Sequence, residues 1–453
     1  MIRFLIVRFF PSASYVQAAP GRPLIFQATL IHHRQPMKHI QSFTAVIFVG
    51  FMFLIFFYMN MNLETTNSRR AMSKAVLKQH DLQEDEVDVK TKRLEERDVT
   101  TSAAELYNVS VSDLLKKTIP HNGAYWNRLL YLSLKMRDDK NMSSRRSGPW
   151  SSCRENQELL ITNVHDFPSY PVLFQLFVAS MKCRAPPVIK QPNKCVSRDP
   201  GHHIFLLFAI KSSPGNFKQR QVVRETWGHE GKHVRTIFLL GSAGQDDPDF
   251  SFLLSMEDKH YGDILQWDFN ESFLNLTLKM NMVLHWAVRR CPDISFVFSG
   301  DDDVFVNTPA LLQYLRSLSP SKASQLYTGQ VINHATPHRD PKNKYYVPQS
   351  FYDGPYPAYC GGGGFVFSGA LLLPLYSIFQ VIPLYPIDDA YIGMCFMALG
   401  VSPQPHNGFR TFDISDKDRE NVCVHKNIIL VHRRSPQEIK RLWRSIHSHL
   451  LTC

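Results

Sequence analysis

Two groups of adjacent carboxylates are the residues best placed by type and spacing to do chemistry. The first, Asp301-Asp302-Asp303, follows the apolar run Ile294 to Phe298 and Ser299-Gly300. An apolar run that stops at a glycine predicts a buried strand, so the acids sit at a strand end. Three neighbouring carboxylates repel one another and lose hydration when buried, and a hard divalent cation with oxygen ligands would relieve both costs. The carboxyl ends of strands in an α/β sheet are also where ligands bind. An EF-hand loop fits poorly: counted from Asp301, the sixth and twelfth positions are Val306 and Leu312, where glycine and glutamate are required. A solvated acidic loop is the competing account. The second group is Asp388-Asp389, within Pro386-Ile387-Asp388-Asp389-Ala390-Tyr391-Ile392-Gly393; acids in the first turn of a helix cap it in many proteins.

Cations and glycines complete the set. Lys211 ends the apolar stretch from Ile204, and Arg220 and Arg224 lie on a basic helix expected over Lys218 to Trp227. Cations just beyond a first strand face the sheet's carboxyl edge, where a diphosphate could be held. A solvated basic helix face is the plainer alternative. Gly361-Gly362-Gly363-Gly364, after Tyr359-Cys360, would let backbone come close to a sugar, because glycine has no side chain in the way.

The elements that must position these groups alternate. Strands are expected at Ile204 to Ile210, Thr236 to Leu240, Asp263 to Trp267 and the run before Asp301. Leu276, Met280, Val283, Leu284, Ala287 and Val288 fall at helical spacing. Such alternation implies a mostly parallel sheet with right-handed crossovers, the first half of a nucleotide-binding α/β fold.

The chain has 453 residues, a formal net charge of +11 and 44% hydrophobic residues, enough for a sizeable core. No tight Lys/Arg block or nucleic-acid motif accompanies the charge, so nucleic acid is not the expected partner. Phe43 to Tyr58 carries no charge and, extended to Met61, reaches the length that crosses a bilayer. Met61-Asn62-Leu63-Glu64 is not a signal-peptidase site, so the segment is expected to stay as an anchor. Flanking Lys and Arg do not set its orientation. The sequons at Asn108, Asn141, Asn270 and Asn275 all follow it and lean towards a lumenal carboxyl side. The expected layout is a tail over 1–42, an anchor over 43–61, a charged stem over 62–120 and a globular domain over 121–453. Met37 opens a more compact start, which leaves 1–36 as an extended beginning. Eight cysteines lack CxxC and zinc spacings, and an even count suits disulfides in an oxidising compartment.

The ordered series Ala209-Ile210-Lys211-Ser212, Arg220 with Arg224-Glu225-Thr226-Trp227-Gly228, Phe238-Leu239-Leu240-Gly241, Asp268-Phe269 with Asn275-Leu276-Thr277-Leu278-Lys279, Asp301 to Asn307, Tyr356-Pro357 with Gly361 to Phe365, and Asp388-Asp389 with Gly393 resembles the β-1,3-glycosyltransferases of the Golgi. It is most similar to their N-acetylglucosaminyltransferase branch, over Tyr125 to Cys453. The resemblance implies a GT-A fold, a type II membrane protein with a lumenal domain, a UDP-sugar donor and inversion at the anomeric carbon. It assigns Asp301 and Asp302 to the ribose and sugar, Asp303 to a manganese or magnesium ion, and His432, after the apolar Leu430-Val431, to the same metal. Asp389 is the expected base, with Asp388 next, although Ala390 stands where the family has valine. The four-glycine form favours UDP-GlcNAc over UDP-galactose, with a galactose-terminated glycan on protein or lipid as acceptor. The alternatives are a galactosyltransferase and a catalytically silent glycan-binding partner, against which intact Asp303 and Asp389 argue. Structural disulfides among the eight cysteines, and association with itself or with other glycosyltransferases, are also compatible with the resemblance.

Overall fold

Leu206-Leu207-Phe208-Ala209-Ile210-Lys211 is buried at every position, and a strand buried on both faces belongs inside a sheet covered by helices. The computed structural model describes residues 109–138, 157–192, 203–244 and 248–453, all within one compact unit, Glu105–Cys453. Its strands are β1 (Val188–Lys190), β2 (Leu206–Lys211), β3 (Val234–Ser242), β4 (Ile264–Asn270), β5 (Phe296–Asp301), β6 (Phe305–Val306), β7 (Tyr327–Gly329), β8 (Val331–Ile332), β9 (Tyr359–Cys360), β10 (Gly364–Ser368), β11 (Gln404–Pro405), β12 (Phe409–Arg410) and β13 (Leu430–Val431).

The main sheet has the order β1-β4-β3-β2-β5-β10-β7-β11. Strands β4, β3, β2 and β5 are parallel, as the alternation of elements predicts. The sheet as a whole is mixed, with six of its eight strands running in one direction as expected and two against them. Strand β10 enters antiparallel between β5 and β7, and β1 pairs antiparallel with β4. The β10 register sets Gly364 opposite Gly300 and Phe365 opposite Ser299, which carries the glycine run to the end of β5 where the aspartates begin. A second sheet, β12-β13-β6, pairs Val431 with both Phe305 and Arg410. It thereby brings His432 and Thr411, each adjacent to one of these strands, and Asp303, two residues before β6, to one place.

Alternate residues of the central strands feed two cores, as period-two geometry requires. Leu207, Ala209, Leu239 and Val297 pack with Met282 and Val283 of the Leu276–Arg290 helix and Ile378 of the Leu372–Val381 helix. Phe208, Ile210 and Phe298 pack on the other face with Val222, Leu311, Ile439 and Leu442.

The folded unit begins before residue 121. Leu115 and Ile119 are buried, and the Ser112 amide donates to the Ala398 carbonyl at 2.8 Å. These residues were expected in the stem, because their charged neighbours mask a short apolar helix face. A fragment starting at 121 forfeits their burial, roughly 1.5–3 kcal/mol for each large aliphatic side chain. It is therefore expected to unfold at a lower temperature than a fragment starting at 105, as thermal melts of the two would register.

The apolar run 43–61 and the stem up to 108 lie outside the described residues, as do the sequons at Asn108 and Asn141. Among the described residues no helix is long and apolar enough to cross a membrane. Cys423 is bonded to Cys453, with Cα atoms 5.5 Å apart, and Cys183 and Cys291 are also disulfide-bonded. Cys360 and Cys395 are free thiols, buried in the core, which corrects the expectation of bridges throughout.

Candidate active site

The carboxyl ends of β2 and β5 meet the glycine run and the Asp388–Ala398 helix, and the acids converge there. Asp301, Asp303 and His432 form a cluster whose ligand atoms all lie within 4.8 Å of one another. His432 Nε2 is 3.1 Å from Asp303 and 3.7 Å from Asp301. Its Nδ1 lies 2.9 Å from the Thr411 carbonyl. A carbonyl only accepts, so Nδ1 carries a proton, and Nε2 is the nitrogen turned to the carboxylates. An imidazole oriented by a carbonyl beside two carboxylates is a donor set that suits a divalent metal ion. The structure thus puts Asp301 with the metal-competent group, apart from the Asp302 carboxylate. Burial opposes ionisation of Asp303, but the hydrogen bond and charge of His432 outweigh it and hold its pKa below the ordinary carboxylate value.

Asp302 points elsewhere. Its Oδ2 accepts from Ser212 Oγ at 2.6 Å and Asn216 Nδ2 at 3.0 Å, and burial raises its pKa to about 6 despite these bonds. Both bonds fall on Oδ2, leaving Oδ1 for a ligand.

Lys211 joins the two acid groups. Its ammonium, nearly inaccessible to water, is 3.1 Å from Asp301 and 2.9 Å from Asp388, and it donates to the Gly362 carbonyl at 3.2 Å. Burial works against the charge, yet Asp301, Asp388 and Asp389 together hold the lysine pKa well above its ordinary value. Asp389 accepts from the Gly362 amide through Oδ2 at 2.7 Å, while Oδ1 is buried with no hydrogen-bond partner. Burial, and then repulsion from Asp388, push the Asp389 pKa well above the usual carboxylate range. Both acids stand in the first turn of their helix, but it has no side-chain cap hydrogen bond and their carboxylates turn to Lys211 and the Gly362 amide instead.

The glycine run is shaped by these neighbours. A Cβ on Gly362 would lie 2.2 Å from Asp389 Oδ1, and one on Gly363 would lie 2.6 Å from Thr411 Oγ1 and 3.0 Å from His432 Nδ1. Any larger residue would displace the acid or the imidazole. Gly362→Ala is expected to lower turnover by about a hundredfold, since a misplacement on the order of 1 Å costs that much; steady-state kinetics beside circular dichroism would show whether activity falls while the fold persists.

Arg224 is not brought to the cleft, and Arg220 reaches it only through the Ser212 hydroxyl, to which its guanidinium donates at 3.1 Å. The Arg220 guanidinium is fully buried against Glu257 at 2.7 Å and 2.8 Å and against the Ser213 and Pro214 carbonyls, so it braces the loop after β2. Arg224 forms a two-point pair with Asp263 at 2.8 Å and 2.9 Å and lies over the Tyr261 and Phe238 rings. A diphosphate would have to compete with buried carboxylates for either one. Ser212, Asn216 and Thr411 take part in the site without having been singled out from sequence. Ser212 stands in the quoted Ala209 to Ser212 motif, the one signal that could have marked any of them.

Comparison with known proteins bears on what this geometry serves. Residues 218–407 match the Galactosyltransferase family. N-acetyllactosaminide β-1,3-N-acetylglucosaminyltransferase 2 of Mus musculus is 47% identical over 306 residues, covering 66% of this chain and 76% of the relative. The protein of the same name in Homo sapiens is 42% identical over 356 residues, covering 73% and 86%. UDP-GlcNAc:βGal β-1,3-N-acetylglucosaminyltransferase 8 of Homo sapiens is 39% identical over 351 residues, covering 76% and 86%. Identity at this level along most of each relative shows that the chain is a glycosyltransferase and belongs to the β-1,3-N-acetylglucosaminyltransferase family.

Proposed function

We propose that the protein transfers GlcNAc, with inversion, from UDP-GlcNAc to O3 of a terminal galactose on N-acetyllactosamine-type glycans of proteins or lipids. The observation that carries this reading is the buried, unpartnered Oδ1 of Asp389, held across Lys211 from a carboxylate–imidazole cluster suited to a metal. The names of the relatives support the donor and the linkage.

In this GT-A-type site, Asp303 and His432, joined by Asp301, would hold Mn²⁺ or Mg²⁺. Such an ion supplies charge neutralisation for a departing diphosphate. Asp302 Oδ1 is offered to the donor's ribose and sugar. Asp389 Oδ1 takes the proton of the acceptor hydroxyl as that oxygen attacks the anomeric carbon, whose bond to the β-phosphate oxygen breaks and releases UDP. A carboxylate with a raised pKa is the stronger base for that transfer. Lys211 bridges Asp388 and Asp301, so that the base and the metal-competent group hold a fixed separation. The same reading makes 43–61 a single anchor, 62–104 a stem, and the folded unit a Golgi lumenal domain. The Cys423–Cys453 bridge and the sequons support that oxidising, glycosylating setting.

A donor screen on residues 105–453 tests the proposal, with UDP-GlcNAc or UDP-galactose, an N-acetyllactosamine acceptor, and Mn²⁺ present or chelated. Metal-dependent GlcNAc transfer is expected. Galactose transfer would keep the chemistry and overturn the donor; no transfer of either sugar, with UDP still bound, would favour a silent glycan-binding role.

A further inference from the structure

Lys279, the last residue of the Asn275 to Lys279 motif, is a buried ammonium that the mechanism above does not use. It is 1% exposed and pairs with Glu271 at 2.7 Å. It also donates to the backbone carbonyl of Ser212. Glu271 accepts from the Gly241 amide at 2.8 Å through its other oxygen, and its own amide donates to the Ser242 carbonyl at 3.0 Å. One ion pair thus ties together the residue after β2, the end of β3 and the residue after β4. Ser212 is the point where this tie meets the site. Its carbonyl is held from below by Lys279, its amide donates to Leu239 of β3 at 3.1 Å, and its hydroxyl accepts from Arg220 at 3.1 Å while donating to Asp302 Oδ2 at 2.6 Å.

A buried ion pair contributes little to stability compared with apolar residues of the same volume, because desolvation cancels most of the attraction. What this pair delivers is therefore position. We propose that Lys279 and Glu271 are positioning residues for the nucleotide-sugar donor, acting through Ser212 to fix the carboxylate of Asp302. The inference rests on the reading of Asp302 as a donor contact. Neither residue of the pair touches the donor. Their effect passes through the Ser212 backbone, so removing them and removing the Ser212 hydroxyl must damage the same interaction.

A double-mutant cycle read by calorimetric UDP binding with Mn²⁺ tests this. Lys279→Met with Glu271→Gln removes both charges without leaving a lone buried ion, and Ser212→Ala removes the hydroxyl. Each is expected to weaken UDP binding about tenfold, and their combination no more than either alone, since groups in one network are non-additive. Lys279→Gln with Glu271→Gln keeps an amide donor for the Ser212 carbonyl and is expected to restore most of the affinity, which a purely structural role would not require. Multiplying losses, or unchanged affinity in the charge-free pair, would overturn the proposal. Should the Met variant fail to fold, Glu271→Gln alone carries the cycle with Ser212→Ala under the same criterion. Wild-type protein that binds no UDP would overturn the donor site itself, whereas additive losses on a wild type that binds UDP would overturn only the bracing.

Discussion

Asp389→Asn lowers kcat by roughly 10²–10⁴-fold, the range for loss of a general base, while UDP affinity stays within a few-fold of wild type. The substitution is nearly isosteric. The amide oxygen can take the Gly362 N–H bond that Oδ2 now accepts, and the amide nitrogen occupies the place of Oδ1. What disappears is the lone pair on an oxygen that has no partner inside the protein. The pH profile gives a second reading. The base works only when deprotonated, and burial together with Asp388 raises its pKa. Activity of the wild type should therefore fall with decreasing pH along a limb that lies above the ordinary carboxylate value of about 4. Equal losses of turnover and UDP binding in Asp389→Asn would make the residue a donor ligand instead.

The second large effect is expected at the carboxylate–imidazole cluster. Asp303→Asn removes one anionic ligand while preserving shape. Its side chain is 46% exposed, and the amide oxygen can keep the contact with His432 Nε2. Transfer should drop by at least about a hundredfold at limiting Mn²⁺, the upper end of what even supporting contacts to a metal cost, with partial recovery as Mn²⁺ is raised. Thr411 gives a graded comparison, because its carbonyl orients the imidazole through backbone alone and survives side-chain substitution. Full turnover by wild-type protein after exhaustive chelation would remove the metal role altogether. Thermal melts should show Asp303→Asn as stable as wild type, which separates lost chemistry from lost fold.

What could be read without the structure divides by range. Strands β2 to β5 and the Leu276–Arg290 helix were legible, because their periodicity is local and strong. The antiparallel entry of β10 was not, since Gly364 pairs with Gly300 across 64 residues and nothing near either one announces it. At the site, Lys211, Asp303, His432 and Asp389 came together as expected. Arg224 did not, and Arg220 meets them only through Ser212, because a basic helix face looks the same whether it meets phosphate or carboxylate. Their partners Glu257 and Asp263 are supplied by the Ser251–Tyr261 helix and the residue just before β4. The assignment of Asp301 depended on which way successive side chains turn at a strand end. Strand alternation separates Asp301 from Asp302, and the β12-β13-β6 sheet then decides which of them meets His432. The glycine run was read as room for a sugar, yet its first occupants are the protein's own Asp389 and Thr411.

The two buried free thiols have a consequence of their own. Cys360 leads into the glycine run and Cys395 sits in the helix that begins with Asp388-Asp389, so each is sealed within the packing that supports the acids. Burial drives both far from the thiolate form, and only the thiolate reacts quickly with alkylating reagents. Labelling at either position then requires the core to open and water to enter. The chain thus carries an internal clock: the alkylation rate of Cys360 and Cys395 counts core-opening events around the acids, and its slowing by UDP measures how far a ligand at the cleft closes down that breathing.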